Sequence, residues 1–146
     1  MPENQHHTFS SPEDTQKFAE SFAEQIPNGT VLALIGDLGS GKTTFTQGFA
    51  KGLGIKATVG SPTFKLVSEY EYDSGKLYHV DCYRLDGPED FLNIDGESLL
   101  NHELGVTLVE WADIILPVLP PETVFLHFSH GQEGQNIRDL AIKKSS

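Results

Sequence analysis

The sequence predicts an α/β fold of three layers: a mixed, mainly parallel central sheet, helices on both faces, and antiparallel hairpins at its margins. Three observations point there. The apolar run Val31–Ile35 leads directly into the glycine-rich string GDLGSGKT at residues 36–43. Phe45, Phe49 and Leu53 then recur on one helical stripe. Short β-prone runs and short helical stretches alternate through the rest of the chain.

Taken in order, residues 1–10 are polar and predict a flexible N-terminus ahead of one domain spanning 11–146. Ser11 reads as a helix cap, with Pro12 in the first turn and Glu13 and Asp14 beside the positive dipole end. Phe18, Phe22 and Ile26 form one apolar face, which Pro27, Asn28 and Gly29 end. Val31–Ile35 has no polar position, as in a strand covered on both sides. Gly54 terminates the helix after the glycine-rich string. Residues 63–72 and 76–80 predict an antiparallel hairpin across Asp73, Ser74 and Gly75. A short helix over 88–92, a break at Asp95 and Gly96, and a buried strand over 106–109 follow. A helical stretch over 112–116 should stop at Pro117. Residues 124–130 and 137–142 predict a closing hairpin around a turn at 131–134.

The string at 36–43 matches G-x-x-x-x-G-K-[ST] in the strand, turn and helix context of a phosphate-binding loop. Its glycines let backbone N–H groups point inward at a polyphosphate, and the helix start adds unpaired donors. Asp37, Leu38, Gly39, Ser40, Gly41, Lys42, Thr43 and Thr44 are the candidate nucleotide-binding residues. Lys42 can reach the β and γ phosphates, and the Thr43 hydroxyl can ligate Mg²⁺. A metal-holding carboxylate is needed at a neighbouring strand end, and two qualify: Asp81 after 77–80 and Glu110 after 107–109. The strand before Glu110 lacks the polar alternation seen before Asp81, which favours Glu110 for the metal and leaves Asp81 for a water. Ser61 and Thr63 occupy the place of a γ-phosphate sensor or of a plain turn. Trp111 reads as a core or cap residue before a base-stacking one, and Cys82 as buried filler. Arg84 is the arginine that falls near this predicted site.

Composition excludes other classes. The chain has 146 residues, a net charge of −11 and one cysteine, which rules out an internal disulfide or a cysteine zinc site. Such an acidic surface repels nucleic-acid backbone, so any link to nucleic acid should run through a partner. No stretch is long and apolar enough for a membrane span and the start lacks signal-peptide character, so a cytoplasmic location is expected.

Four blocks together carry a family resemblance: GDLGSGKTTFTQGFAKGLG at 36–54, VGSPTFKLVSEY at 59–70, YHVDCYRL at 78–85 and LVEWAD at 108–113. In this order they resemble the TsaE (YjeE) family of small bacterial P-loop ATPases of tRNA threonylcarbamoyladenosine biosynthesis. The resemblance spans about residues 11–120; the segment 93–97 is more polar than the family pattern, and the part after Pro121 matches loosely. It implies ATP and Mg²⁺ as cofactors and the TsaB and TsaD proteins as partners, with tRNA met only through that complex. It also implies that Thr43 and Glu110 form the Mg²⁺ pair, that Lys42 meets phosphate, that Asp81 serves hydrolysis, and that Ser61 and Thr63 form a switch-like segment. Arg84 and Trp111 would adjoin the site or a partner. The expected function is an Mg²⁺-dependent ATPase, slow alone and faster with TsaB and TsaD, that supports or resets their transfer complex. Two alternatives are a small-molecule P-loop kinase, disfavoured by only two arginines, and an ATP-sensing module without significant hydrolysis.

Overall fold

Strand β2 (Val31–Ile35) explains its own apolar run: Leu32 and Leu34 enter one buried cluster, and Val31 and Ala33 enter another on the opposite face. A strand of strict two-residue alternation can be apolar throughout only where both faces are covered. The computed structural model describes residues 4–36, 41–56, 59, 66–100, 104–130 and 137–144.

Around β2 the described strands are β1 (Asn4–Phe9), β3 (Val67–Tyr72), β4 (Gly75–Asp81), β5 (Gly105–Glu110), β6 (Val124–His130) and β7 (Arg138–Lys144). They form one sheet in the order β1-β7-β6-β2-β5-β4-β3. The four central strands, β6, β2, β5 and β4, run parallel. The outer strands pair antiparallel, as β3 with β4, β6 with β7, and β1 with β7. Both predicted hairpins are therefore present, and β6 spans the residues that its pattern indicated.

Helices α1 (Pro12–Glu24) and α2 (Lys42–Gly52) cover one face. Ser11 caps α1, its Oγ accepting from the Asp14 amide at 3.1 Å. Aromatic rings knit this layer: Phe22 lies 5.9 Å from Phe45 between centroids, and Phe45 meets Phe128 of β6 edge-on at 5.5 Å. The two helices approach so closely that a Cβ on Gly48 would sit 2.5 Å from the Gln16 carbonyl oxygen. The other face is covered by α3 (Pro88–Asn93), α4 (Glu97–Leu100) and a 3₁₀ segment (Ala112–Val118). Phe91, Leu100 and Ile115 from these pack on Val80 and Val109.

Within the N-terminal segment expected to be flexible, residues 4–9 are instead ordered. Residues 4–9 form edge strand β1, with His6 opposite Ala141 and Phe9 opposite Arg138 on β7. The cause is an alternation hidden in polar residues: Gln5, His7 and Phe9 turn inward, and the His7 and Phe9 rings meet Phe18 of α1 at 4.3 and 5.3 Å. Helix α4 was also not anticipated, and the 3₁₀ segment runs past Pro117. The turn expected at 131–134 lies outside the described residues.

Candidate nucleotide and metal site

The loop enters and leaves through described residues, whereas Asp37, Leu38, Gly39 and Ser40 lie outside them, as do Ser61 and Thr63. At its exit Gly41 has φ +111°, a backbone conformation that side-chain-bearing residues rarely adopt, and it caps α2. The first turn of α2 then presents Lys42, Thr43 and Thr44. Lys42 is buried; its Nζ donates to the Gly36 carbonyl across the loop and stands 3.6 Å from the centroid of the Trp111 ring. A cation over an indole face is attracted by the ring quadrupole. Thr46 fastens the same turn by donating to the Lys42 carbonyl at 2.9 Å.

Strand register brings in the carboxylates. β4 and β5 run parallel with Asp81 opposite Glu110, and β2 places Leu34 opposite Glu110 on the other side. Leu77 of β4 and Leu108 of β5 belong to the cluster under α1 and α2. Two-residue alternation sends His79, Asp81 and Glu110 to that same face, at the strand ends nearest the loop. His79 and Glu110 are buried, and His79 Nε2 lies 2.5 Å from Glu110 Oε2. Asp81 is half-buried and accepts from the Tyr83 amide at 2.9 Å. Burial pushes its carboxyl above the ordinary carboxylate range, and the neighbouring Glu110 charge adds to this; the Tyr83 amide, His79 and Lys42 pull the other way. Cys82, next in the chain, is fully buried with its thiol pushed up to about 12, so it stays protonated and is packing, not a nucleophile.

Trp111, just after β5, adopts a left-handed conformation, φ 57°. For a bulky residue this backbone costs about 1 to 3 kcal/mol and persists where surrounding structure enforces it. Its ring rests against Tyr83 at 4.9 Å as well as beneath Lys42. Trp111 therefore fits the core-or-cap reading, since it stands at the N-cap of the 3₁₀ segment and packs against the cluster of Val80 and Val109, and its ring also lies under Lys42.

Arg84 lies on the exposed turn after β4. It is not the sole arginine near the loop: the Arg138 stem lies 3.9 Å, and the Phe128 ring 3.8 Å, from the point where a Gly41 Cβ would stand. Nothing local in the chain signals this, because Arg138 comes near Gly41 only through the pairing of β6 with both β2 and β7. His79 carries no local signal either, since its partner Glu110 lies on another strand.

The donor set suits a hard dication. Asp81 and Glu110 offer carboxylate oxygens side by side, and Thr43 offers a hydroxyl in the turn that carries Lys42. Among the described residues no three His, Cys, Asp or Glu side chains form a metal cage. Few protein ligands is what Mg²⁺ accepts, since it retains waters and takes phosphate oxygens.

A glycine-rich string between a central parallel strand and a helix, a buried lysine turned back onto Gly36 and acids at the adjoining strand ends define a P-loop nucleotide-binding protein. The comparisons narrow the class. The family described as Threonylcarbamoyl adenosine biosynthesis protein TsaE matches residues 9–139. The chain is 47% identical over 112 residues to the tRNA threonylcarbamoyladenosine biosynthesis protein TsaE of Bacillus subtilis, covering 77% of this chain and 69% of the relative. It is 44% identical over 117 residues to the protein of the same name from Aquifex aeolicus, covering 74% and 81%. The crystal structure of Bacillus subtilis YdiB superposes with a TM-score of 0.80 at 36% identity, covering 100% of this chain and 88% of that one. The chain belongs to the TsaE family. No helix among the described residues is long and apolar enough to cross a membrane.

Proposed function

We propose that this chain is an Mg²⁺-dependent ATPase of tRNA threonylcarbamoyladenosine biosynthesis that works in the cytoplasm with the TsaB and TsaD proteins. The observation that carries this reading is the convergence of Lys42, Asp81 and Glu110 at one end of the central strands. The names of the relatives support the pathway.

Loop amides and Lys42 grip the β and γ phosphates, Lys42 exchanging the Gly36 carbonyl and the Trp111 face for phosphate oxygens. Thr43 and Glu110 would hold Mg²⁺, which would offset the negative charge of the phosphates. Asp81 orients the attacking water in line with the γ phosphorus and takes its proton, a task that a carboxylate with a raised pKa performs better than an ordinary one. Ser61 and Thr63 serve as the switch-like segment that responds to the γ-phosphate.

Turnover is slow without a partner. Arg84 is exposed, and Arg138 stands by Gly41 on the β6 flank of β2, whereas the carboxylates lie on the β5 flank. An arginine supplied from outside can be worth ~10³ to 10⁵ in rate. The −11 charge fits a subunit that leaves tRNA to its partners. Steady-state phosphate release with and without TsaB and TsaD tests the proposal: stimulation by the pair supports it, and equal rates would count against it. Asp81→Asn separates an ATPase from an ATP sensor. A sensor keeps supporting modification with this variant, and an ATPase does not.

A further inference from the structure

The function just proposed leaves one buried polar group without a task. His79 is fully enclosed in β4, its Nε2 2.5 Å from Glu110 Oε2, and its Nδ1 is buried with no hydrogen-bond partner. Natural cores rarely tolerate such an orphan unless the other end of the ring repays it. Leucine or phenylalanine would fill this place in a strand of Leu77, Tyr78 and Val80 with no polar atom to strand.

We infer that His79 is a positioning residue: its Nε2–H fixes the Glu110 carboxylate so that the second oxygen, Oε1, is aimed at the metal of the nucleotide. An ionised carboxylate only accepts, so the ring nitrogen facing it must donate. The tautomer with the proton on Nε2 leaves Nδ1 as a buried acceptor; the opposite tautomer would strand a buried N–H and set a lone pair against the carboxylate. Glu110 sits at the end of a strand where its side chain could otherwise turn among rotamers, and tying Oε2 removes that freedom. Groups that hydrogen-bond a ligating carboxylate set its orientation, and losing one costs ~10 to 100-fold in metal affinity. This inference rests on Glu110 as a metal ligand.

The test compares two amides of different reach. In His79→Gln the side-chain NH₂ extends to the Nε2 position and still meets Glu110; in His79→Asn it ends near the Nδ1 position and does not. Mg²⁺ is titrated into protein held with a non-hydrolysable ATP analogue, followed by the fluorescence of Trp111, the chain's one tryptophan. Analogue binding in EDTA is measured alongside. Half-saturation by Mg²⁺ should rise ~10 to 100-fold in His79→Asn and stay near wild type in His79→Gln, with EDTA affinity equal in all three. Equal Mg²⁺ half-saturation in the two variants overturns the inference. Glu110→Gln is the control. If it also leaves Mg²⁺ binding unchanged, the metal role of Glu110 fails; if it weakens Mg²⁺ binding while His79→Asn does not, only the role of His79 fails. Should His79→Asn not fold, ¹⁵N-histidine NMR of the wild type decides. A proton on Nε2 whose resonance moves when Mg²⁺ joins the bound analogue supports the assignment, and a proton on Nδ1 alone overturns it.

Discussion

The face of the sheet under α1 and α2 holds two regions built on opposite rules. Toward the strand ends it buries ionisable groups: Lys42, His79, Glu110 and, in part, Asp81. Beneath them it buries rings, with Phe22, Phe45, Phe49 and Phe128 in mutual contact. The same helix spans both, since Lys42 opens α2 and Phe45 and Phe49 follow one and two turns later. Desolvating charges is costly, and rigid aromatic packing offsets that cost. The ionisable groups thus stand on an aromatic floor that itself carries no ionisable group. Substitutions in the two regions should therefore separate stability from activity.

The floor should give the largest effect. Phe45→Ala removes a fully buried ring touching α1, α2 and β6, and is expected to lower stability by about 3 to 5 kcal/mol. Denaturant unfolding would measure this, and nucleotide affinity should fall only where the variant unfolds. At the site, Lys42→Ala should reduce phosphate release by ~10² to 10³-fold, as for loss of one transition-state donor, with little change in thermal midpoint. A large fall in midpoint would mean that the two regions are not separable.

Between them stands the crossing of α1 and α2. A Cβ at Gly48 would meet the Gln16 backbone at 2.5 Å, so Gly48→Ala should destabilise by about 1 to 3 kcal/mol despite the better helix propensity of alanine. If Gly48→Ala proves stabilising, the helices are not locked as described.

The smallest effect concerns pH. Asp81 has a folded-state pKa above its ordinary value of 3.8, so the native state holds that proton more tightly than the unfolded chain. Its contribution is present in full below the ordinary value and is lost as pH rises through the raised one. Nucleotide-free Asp81→Asn should therefore lack this loss and melt slightly above wild type near neutral pH. A lower melting point for Asp81→Asn there would reverse the sign.

Much of this architecture was legible in the chain because its signals are local. An apolar run, a glycine-rich string and a phenylalanine stripe specify β2, the loop and α2 within about six helical turns of sequence. Asp81 and Glu110 could each be named as strand-end acids, but their adjacency depends on β4 pairing in parallel with β5. What escaped was carried by tertiary pairing. Strand β1 hides its alternation in Gln5 and His7 and becomes ordered only against β7 and Phe18. Arg138 nears the loop because β6 joins β2 to β7, and His79 gains meaning only from the carboxylate on the next strand. Ser61 and Thr63, legible as a switch-like block, lie outside the described residues.

Under the proposed function, Lys42 and the strand-end carboxylates grip a magnesium-bound adenine nucleotide. Isothermal titration of Mg²⁺ with a non-hydrolysable ATP analogue into wild type and Lys42→Ala tests it most directly. One saturable site is expected in the wild type, and its loss, or a steep fall in affinity, in the variant. Equal binding by both proteins, or no heat from either when folded, would contradict it.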